Sequence, residues 1–143
     1  VQTCALPISD GKIVRDAEGG THRFGALLVD ESPDAPQGRA GLAGTLEGIV
    51  CESTEPPISR RAVEALGRAL VCILAAHRAD VVALGGGRID RQPESVDSIR
   101  IEYKRRAGER GVPAIRVERA PLCSDDAGVI GAALLALQRA CAG

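Results

Sequence analysis

LGRALVCILAAHRADVVALGGG, Leu66–Gly87, is the stretch that decides the fold class. Its first half continues a helical pattern that opens at Ser59, a good N-cap residue. Val63, Leu66, Leu70, Ile73 and Leu74 recur at helical spacing, and Arg60, Arg61, Glu64 and Arg68 occupy other faces. The helix is expected to end near Arg78, where a cation suits the C-terminal dipole. Asp80 then leads into Val81–Leu84, a short apolar run bounded by charge and by Gly85, Gly86 and Gly87. That is the pattern of a buried parallel strand.

Downstream, Ser95–Arg110 reads as a second helix stopped at Gly111. Pro113–Val117 reads as a strand. Ser124 is placed to cap a last helix, with Asp125 and Asp126 in the first turn and Ala132, Leu135 and Leu137 as apolar surface. Alternation of helix and strand makes an α/β fold with a parallel sheet. Val81–Leu84 and Pro113–Val117 are expected to be neighbours in it, with the Ser59–Arg78 and Asp125–Cys141 helices packed on it. Upstream, Asp10-Gly11 is a turn signal and Lys12–Arg15 a short strand. Phe24–Val29 is a second strand, residues 31–44 a loop, and Thr45–Cys51 a short helix ended by Pro56-Pro57.

The chain has 143 residues, the size of one domain. A net charge of −1, from 18 basic and 19 acidic residues, argues against a dedicated nucleic-acid binder. Phe24 and Tyr103 are the whole aromatic supply, which excludes a base-stacking platform. The longest apolar run, Ala69–Ala76, is too short to span a bilayer, and no secretory signal is visible. The five cysteines are widely spaced without a C-x-x-C, so neither a disulfide framework nor a thiolate zinc site is expected. Cys72 and Cys141 read as small buried hydrophobes, and a reducing cytoplasm is the default setting. A core of Ala, Val, Leu and Ile buries little area per side chain, so stability is expected to lean on neighbouring surfaces, and a homo-oligomer is a separate expectation.

Candidate chemistry is sparse. Gly85–Gly87 follows a strand directly, at the edge where α/β sheets bind ligands, and reads equally as a ligand-bordering loop or a flexible turn. It matches neither G-x-G-x-x-G nor the P-loop. The start of the last helix reads as a well-capped terminus, since Asp125 and Asp126 repel phosphate. Gly128 is costly inside a helix, and close approach of a backbone or a flat ligand would account for it. His22 and His77 make no convincing base or ligand, and the basic residues between Arg100 and Arg110 read as a solvated face.

DGKIVRDAEGG at Asp10–Gly20, the Leu66–Gly87 stretch and SDDAGVIGAALLAL at Ser124–Leu137 together resemble the C-terminal lobe of ROK proteins, which are sugar kinases and sugar-responsive repressors. The resemblance covers residues 10–143. It implies an actin-like, RNase-H-like fold, with Gly85, Gly86, Gly87 and Gly128 bordering the adenosine pocket of an ATP- and magnesium-using kinase. Glu47 matches a sugar-contacting glutamate and reads equally as an exposed helix residue. Where kinase members carry G-E-I-G-H, this chain has His22-Arg23-Phe24-Gly25-Ala26. The zinc ligands of the family fall on Ala26, Gly38, Ala40 and Thr45, so no zinc is expected. The lobe that carries the catalytic aspartate and first phosphate loop has no counterpart here, so no catalytic residue is assigned. Val1–Ile8, VQTCALPI, resembles a translated sequencing adapter; residues 1–9 are expected to be a non-native or disordered tail, and the chain a fragment. The resemblance implies a glucokinase-like ATP:hexose phosphotransferase inactive as this fragment, with polyphosphate as a second possible donor. The other implied reading is the sugar-sensing domain of a transcriptional regulator, with nucleic acid a partner only through an upstream helix-turn-helix.

Overall fold

The computed structural model describes residues 7–20, 24–38, 41–52 and 57–141. Four short strands and five α-helices follow in the order β1 (Ile8–Ser9), β2 (Lys12–Ile13), α1 (Leu46–Cys51), α2 (Arg60–Ala76), β3 (Val81–Leu84), α3 (Gly87–Arg91), α4 (Ser95–Glu109), β4 (Arg116–Arg119) and α5 (Ser124–Cys141). β1 and β2 form an antiparallel hairpin. Asp10 and Gly11 turn it with φ of +50° and +73°, the left-handed pair a two-residue hairpin needs. The hairpin takes in Ile8 and Ser9. Residues 1–6 of the stretch read as a tail lie outside the described residues, as do His22, Arg23, Ala40 and Pro56.

α2 starts where its cap predicts: the Ala62 amide donates to the Ser59 hydroxyl at 3.1 Å. Its buried face is small rather than bulky. Ala62, Ala65, Gly67, Ala69, Leu70 and Val71 are buried, and Val63, Leu66, Ile73 and Leu74 are partly buried around them. Small residues let two helices approach closely. A Cβ on Gly67 would lie 2.7 Å from Glu102 Cγ on α4. On the other side, Leu46 and Ile49 of α1 pack against Ala62, Ala65 and Ala69. The larger cluster joins Leu70 and Val71 to Ile89, Val96, Ile99, Tyr103, Ala107 and Val117.

β3 and β4 pair in parallel, Val81 opposite Arg116 and Leu84 opposite Arg119. The expected neighbouring strands are therefore present, but the second begins at Arg116, not Pro113. Tyr103 explains the shift: its hydroxyl donates to the Pro113 carbonyl at 3.1 Å and accepts from the Ile115 amide at 3.2 Å, holding that segment to α4.

Four further expectations are corrected. Phe24–Val29 is not a strand: Phe24–Ala26 is a 3₁₀ turn, and only Leu28 bridges, to Thr45. Val81–Leu84 is not a buried strand, because its residues alternate between exposed and half-buried. α5 is not packed on the sheet; Val129, Ile130, Leu134 and Leu137 are exposed, and α4 lies against β4 instead. Cys72 is exposed, since the buried face of α2 belongs to its alanines. The side chains of Leu135 and Cys141 lie outside the described part. The basic stretch on α4 is a solvated, paired face as expected: Arg105 bonds Glu102 and Glu109, and Arg100 pairs with Asp97.

Two carboxylates are held far below their ordinary range. Hydrogen bonds from the Ser32 hydroxyl and amide, then from Arg61, lower Asp30 from 3.8 to about 2. A hydrogen bond from Arg105, with Arg106 adding to it, lowers Glu102 from 4.5 to about 2. A depressed folded pKa contributes stability above the unfolded value and loses it as pH falls through the folded one. Urea midpoints should therefore fall steadily from pH 4.5 to pH 2. A flatter profile is expected for Glu102→Gln, and an unchanged one would contradict the assignment.

Candidate functional site

The edge beyond β3 is built from glycines with distinct tasks. Gly85 is small because β3 and β4 end side by side: the Ala120 amide donates to the Leu84 carbonyl at 2.7 Å, and a Cβ on Gly85 would sit 3.0 Å from Ala120 Cβ. Gly86 has φ +110°, a conformation that side-chain-bearing residues rarely adopt, with open space where a Cβ would stand. Gly87 opens α3, so the glycine run makes a strand-to-helix turn. Gly128 in α5 also has open space at its Cβ position, so no backbone crossing explains it.

The structure brings these two segments together through a residue the sequence reading missed. Asp90, on α3, accepts from the Ser124 amide at 2.8 Å and from the Ser124 hydroxyl at 2.6 Å, both on Oδ2. Arg119 approaches Oδ1 at 3.7 Å. The Ser124 hydroxyl bond, followed by the amide bond, holds the Asp90 carboxyl below its ordinary value. Ser124 therefore does not cap α5; the Asp126 amide instead meets Cys123 Sγ at 3.5 Å. One further cation lies beside the glycines: Arg88 has a buried Nη1 with no hydrogen-bond partner among the described residues. Nothing in local sequence flags Asp90 or Arg88, because Asp90 acts across 34 residues and Arg88 stands in a turn whose shape is not written in a motif.

Glu47 belongs to a different packed unit. It sits half-buried in the first turn of α1, where the Gly48 amide donates to the Thr45 hydroxyl at 3.3 Å. α1 packs on the 3₁₀ turn that carries Ala26, and the Leu46 amide donates to the Leu27 carbonyl at 2.8 Å. Arg23, which stands where the resemblance puts the glutamate of G-E-I-G-H, lies outside the described residues.

The loop before α1 is closed by its own backbone. The Gly38 amide donates to the Leu42 carbonyl at 2.9 Å, and the Gly44 amide to the Pro36 carbonyl at 3.0 Å. Gly48 lies so close that a Cβ there would be 2.8 Å from the Gly38 nitrogen. Ala26 and Gly38 offer no metal-binding side chain, and the Thr45 hydroxyl is committed to Gly48. Among the described residues no group of three His, Cys, Asp or Glu is placed to hold a metal ion. No helix there is long and apolar enough to cross a membrane. His77 meets the Phe24 ring edge-on at 5.4 Å.

No protein-family model matches the chain, and no curated protein sequence does. Among solved structures, the chain is similar to a ROK hexokinase from Thermus thermophilus, at 25% identity and a TM-score of 0.69. The likeness covers 93% of this chain and 53% of that protein, so the chain spans about half its length. Over that span the two share the actin-like ATPase fold.

Proposed function

We propose that the chain is the nucleotide-side, C-terminal lobe of a ROK sugar kinase, a glucokinase-like ATP:hexose phosphotransferase, and that this length of chain alone does not catalyse transfer. The observation that carries the reading is the Asp90–Ser124 link. It ties α3, which follows the glycine turn, to the first residue of α5, and in this reading Gly85–Gly87 and Gly128 border one wall. The likeness to a hexokinase over nearly the whole chain supports the same reading.

In this reading the bare backbone at Gly86 and Gly128 admits a flat adenosine. Asp125 and Asp126 turn the phosphates away from α5. The nucleotide phosphates would hold most of a magnesium ion's protein- and substrate-derived ligands, and the ion would supply charge neutralisation at the transferred phosphoryl group. Glu47 would accept hydrogen bonds from sugar hydroxyls. Phosphoryl transfer needs a base and a phosphate cradle in line with the acceptor, and these would come from the other lobe. The exposed apolar residues of α5 and the uncovered side of β3 suit a surface on which such a lobe packs. The loop before α1 works here without zinc, closed by glycine packing. Elemental analysis should find less than one zinc per chain; one tightly held zinc would overturn that part.

A regulator that senses sugar without turnover is the second reading. It is favoured by Ala26, exposed beside α1 where kinase members place a histidine. The uninterrupted reading frame separates the two. A catalytic aspartate, a phosphate loop and hexose phosphate formation by the longer protein are expected. A winged helix-turn-helix with no turnover would establish the regulator instead. Polyphosphate in place of ATP is tested in the same assay. A homo-oligomer in the cytoplasm belongs to this proposal, and light scattering checks the assembly.

A further inference from the structure

A cavity of about 530 Å³ lies between α2, the end of α4 and the segment Leu28–Glu31, and nothing in the sugar-kinase reading uses it. Three arginines line it: Arg68 from α2, Arg106 from the end of α4, and Arg110 just beyond it. Arg106 is already committed to Glu102. Arg68 is not: its Nε is buried with no hydrogen-bond partner among the described residues. Arg110 forms no ion pair among them either.

The acids on the opposite side do not answer this demand. Asp30 is taken by Ser32 and Arg61. That leaves Glu31 as the one uncommitted carboxylate lining the cavity, against two uncommitted guanidiniums. The Nε itself is closed to solvent, but a guanidinium with no anionic partner is met best by a charged oxygen, the strongest acceptor for its remaining N–H groups. Leu28, Val29 and Val71 supply an apolar wall beside the cations. The volume is within the usual range for small-molecule sites, about 300–1,000 Å³.

We propose that this cavity binds a small phosphate monoester, its oxygens accepting from Arg68 and Arg110 and its body resting on Leu28, Val29 and Val71. A phosphate is favoured over a carboxylate for two reasons. Its dianion matches both uncommitted guanidiniums, and its tetrahedral oxygens reach donors that come from two different helices. The site is separate from the glycine turn, so it stands or falls independently of the kinase reading.

Calorimetric titration of the whole chain at fixed ionic strength tests it, with inorganic phosphate, glycerol 3-phosphate and propionate as probes. Saturable binding of both phosphates is expected, with the monoester several-fold tighter because of the apolar wall. Arg110→Gln should weaken the monoester roughly tenfold, and Arg68→Gln at least as much. Arg60→Gln, on a side chain that is 93% exposed and paired with Glu64, should change nothing. Arg110 is exposed at the end of α4, so its replacement leaves the fold intact even if Arg68→Gln does not fold. Non-saturable heats, tighter propionate binding, or equal affinities in Arg110→Gln and the parent chain would each overturn the site.

Discussion

Tyr103→Ala should cost about 3–5 kcal/mol of folding stability, the usual penalty for emptying a buried aromatic site. Tyr103 is fully buried at the centre of the larger cluster, touching neither solvent nor a replaceable surface. It is also the only tyrosine in a chain with one other aromatic, so no neighbour of similar size can fill the space. Its hydroxyl ties Pro113 and Ile115 to α4, which sets where β4 begins. Tyr103→Phe keeps the ring and loses those two bonds, and should cost only about 1–2 kcal/mol. Urea denaturation of both variants checks the pair. Equal losses would mean that the ring is not the centre of this core.

Gly44→Ala is the second large effect, expected at about 2–5 kcal/mol from left-handed strain plus overpacking. Gly44 has φ +71°, and a Cβ there would lie 1.7 Å from the Asp30 carbonyl oxygen. Its carbonyl also accepts from the Val29 and Asp30 amides at 2.9 and 3.1 Å, so the backbone cannot swing away cheaply. Displacing it should loosen α1 and with it Glu47. Gly41→Ala serves as the control: its φ is +77° but nothing stands within 4 Å of its Cβ position, so only the strain remains. A Gly44→Ala chain as stable as the Gly41→Ala chain would contradict the packing described.

α1, α2, α4, α5 and β3 were legible because their signals are local, whereas the short α3 at Gly87–Arg91 was not. Ser59 caps α2, Gly111 ends α4 with φ +65°, and Asp10-Gly11 turns the first hairpin. What failed was set by distant partners. FGALLV has strand composition, but its segment turns at Gly25, which is buried, and pairs only through Leu28. Pro113–Ile115 reads as extended apolar chain, yet the Tyr103 hydroxyl takes its polar groups before the strand begins. α5 is apolar on every side, and such a pattern says that a helix is to be covered without saying by what. At the candidate site the glycines were visible and their purpose was not. Asp90 gives them a common frame, and it lies 34 residues from Ser124. The cationic cavity was hidden for the same reason, since Arg68 and Arg110 come together only when α2 crosses α4.

The central claim is that the turn after β3 and the start of α5 border one adenosine site. Amide chemical shifts of the labelled chain, followed during titration with ADP, test it most directly. The account predicts weak, saturable binding, with shifts concentrated at Gly85–Gly87, Asp90 and Ser124–Gly128, and with the response lost in Asp90→Ala. Shifts absent at millimolar nucleotide, or clustered elsewhere with these amides unmoved, would contradict it.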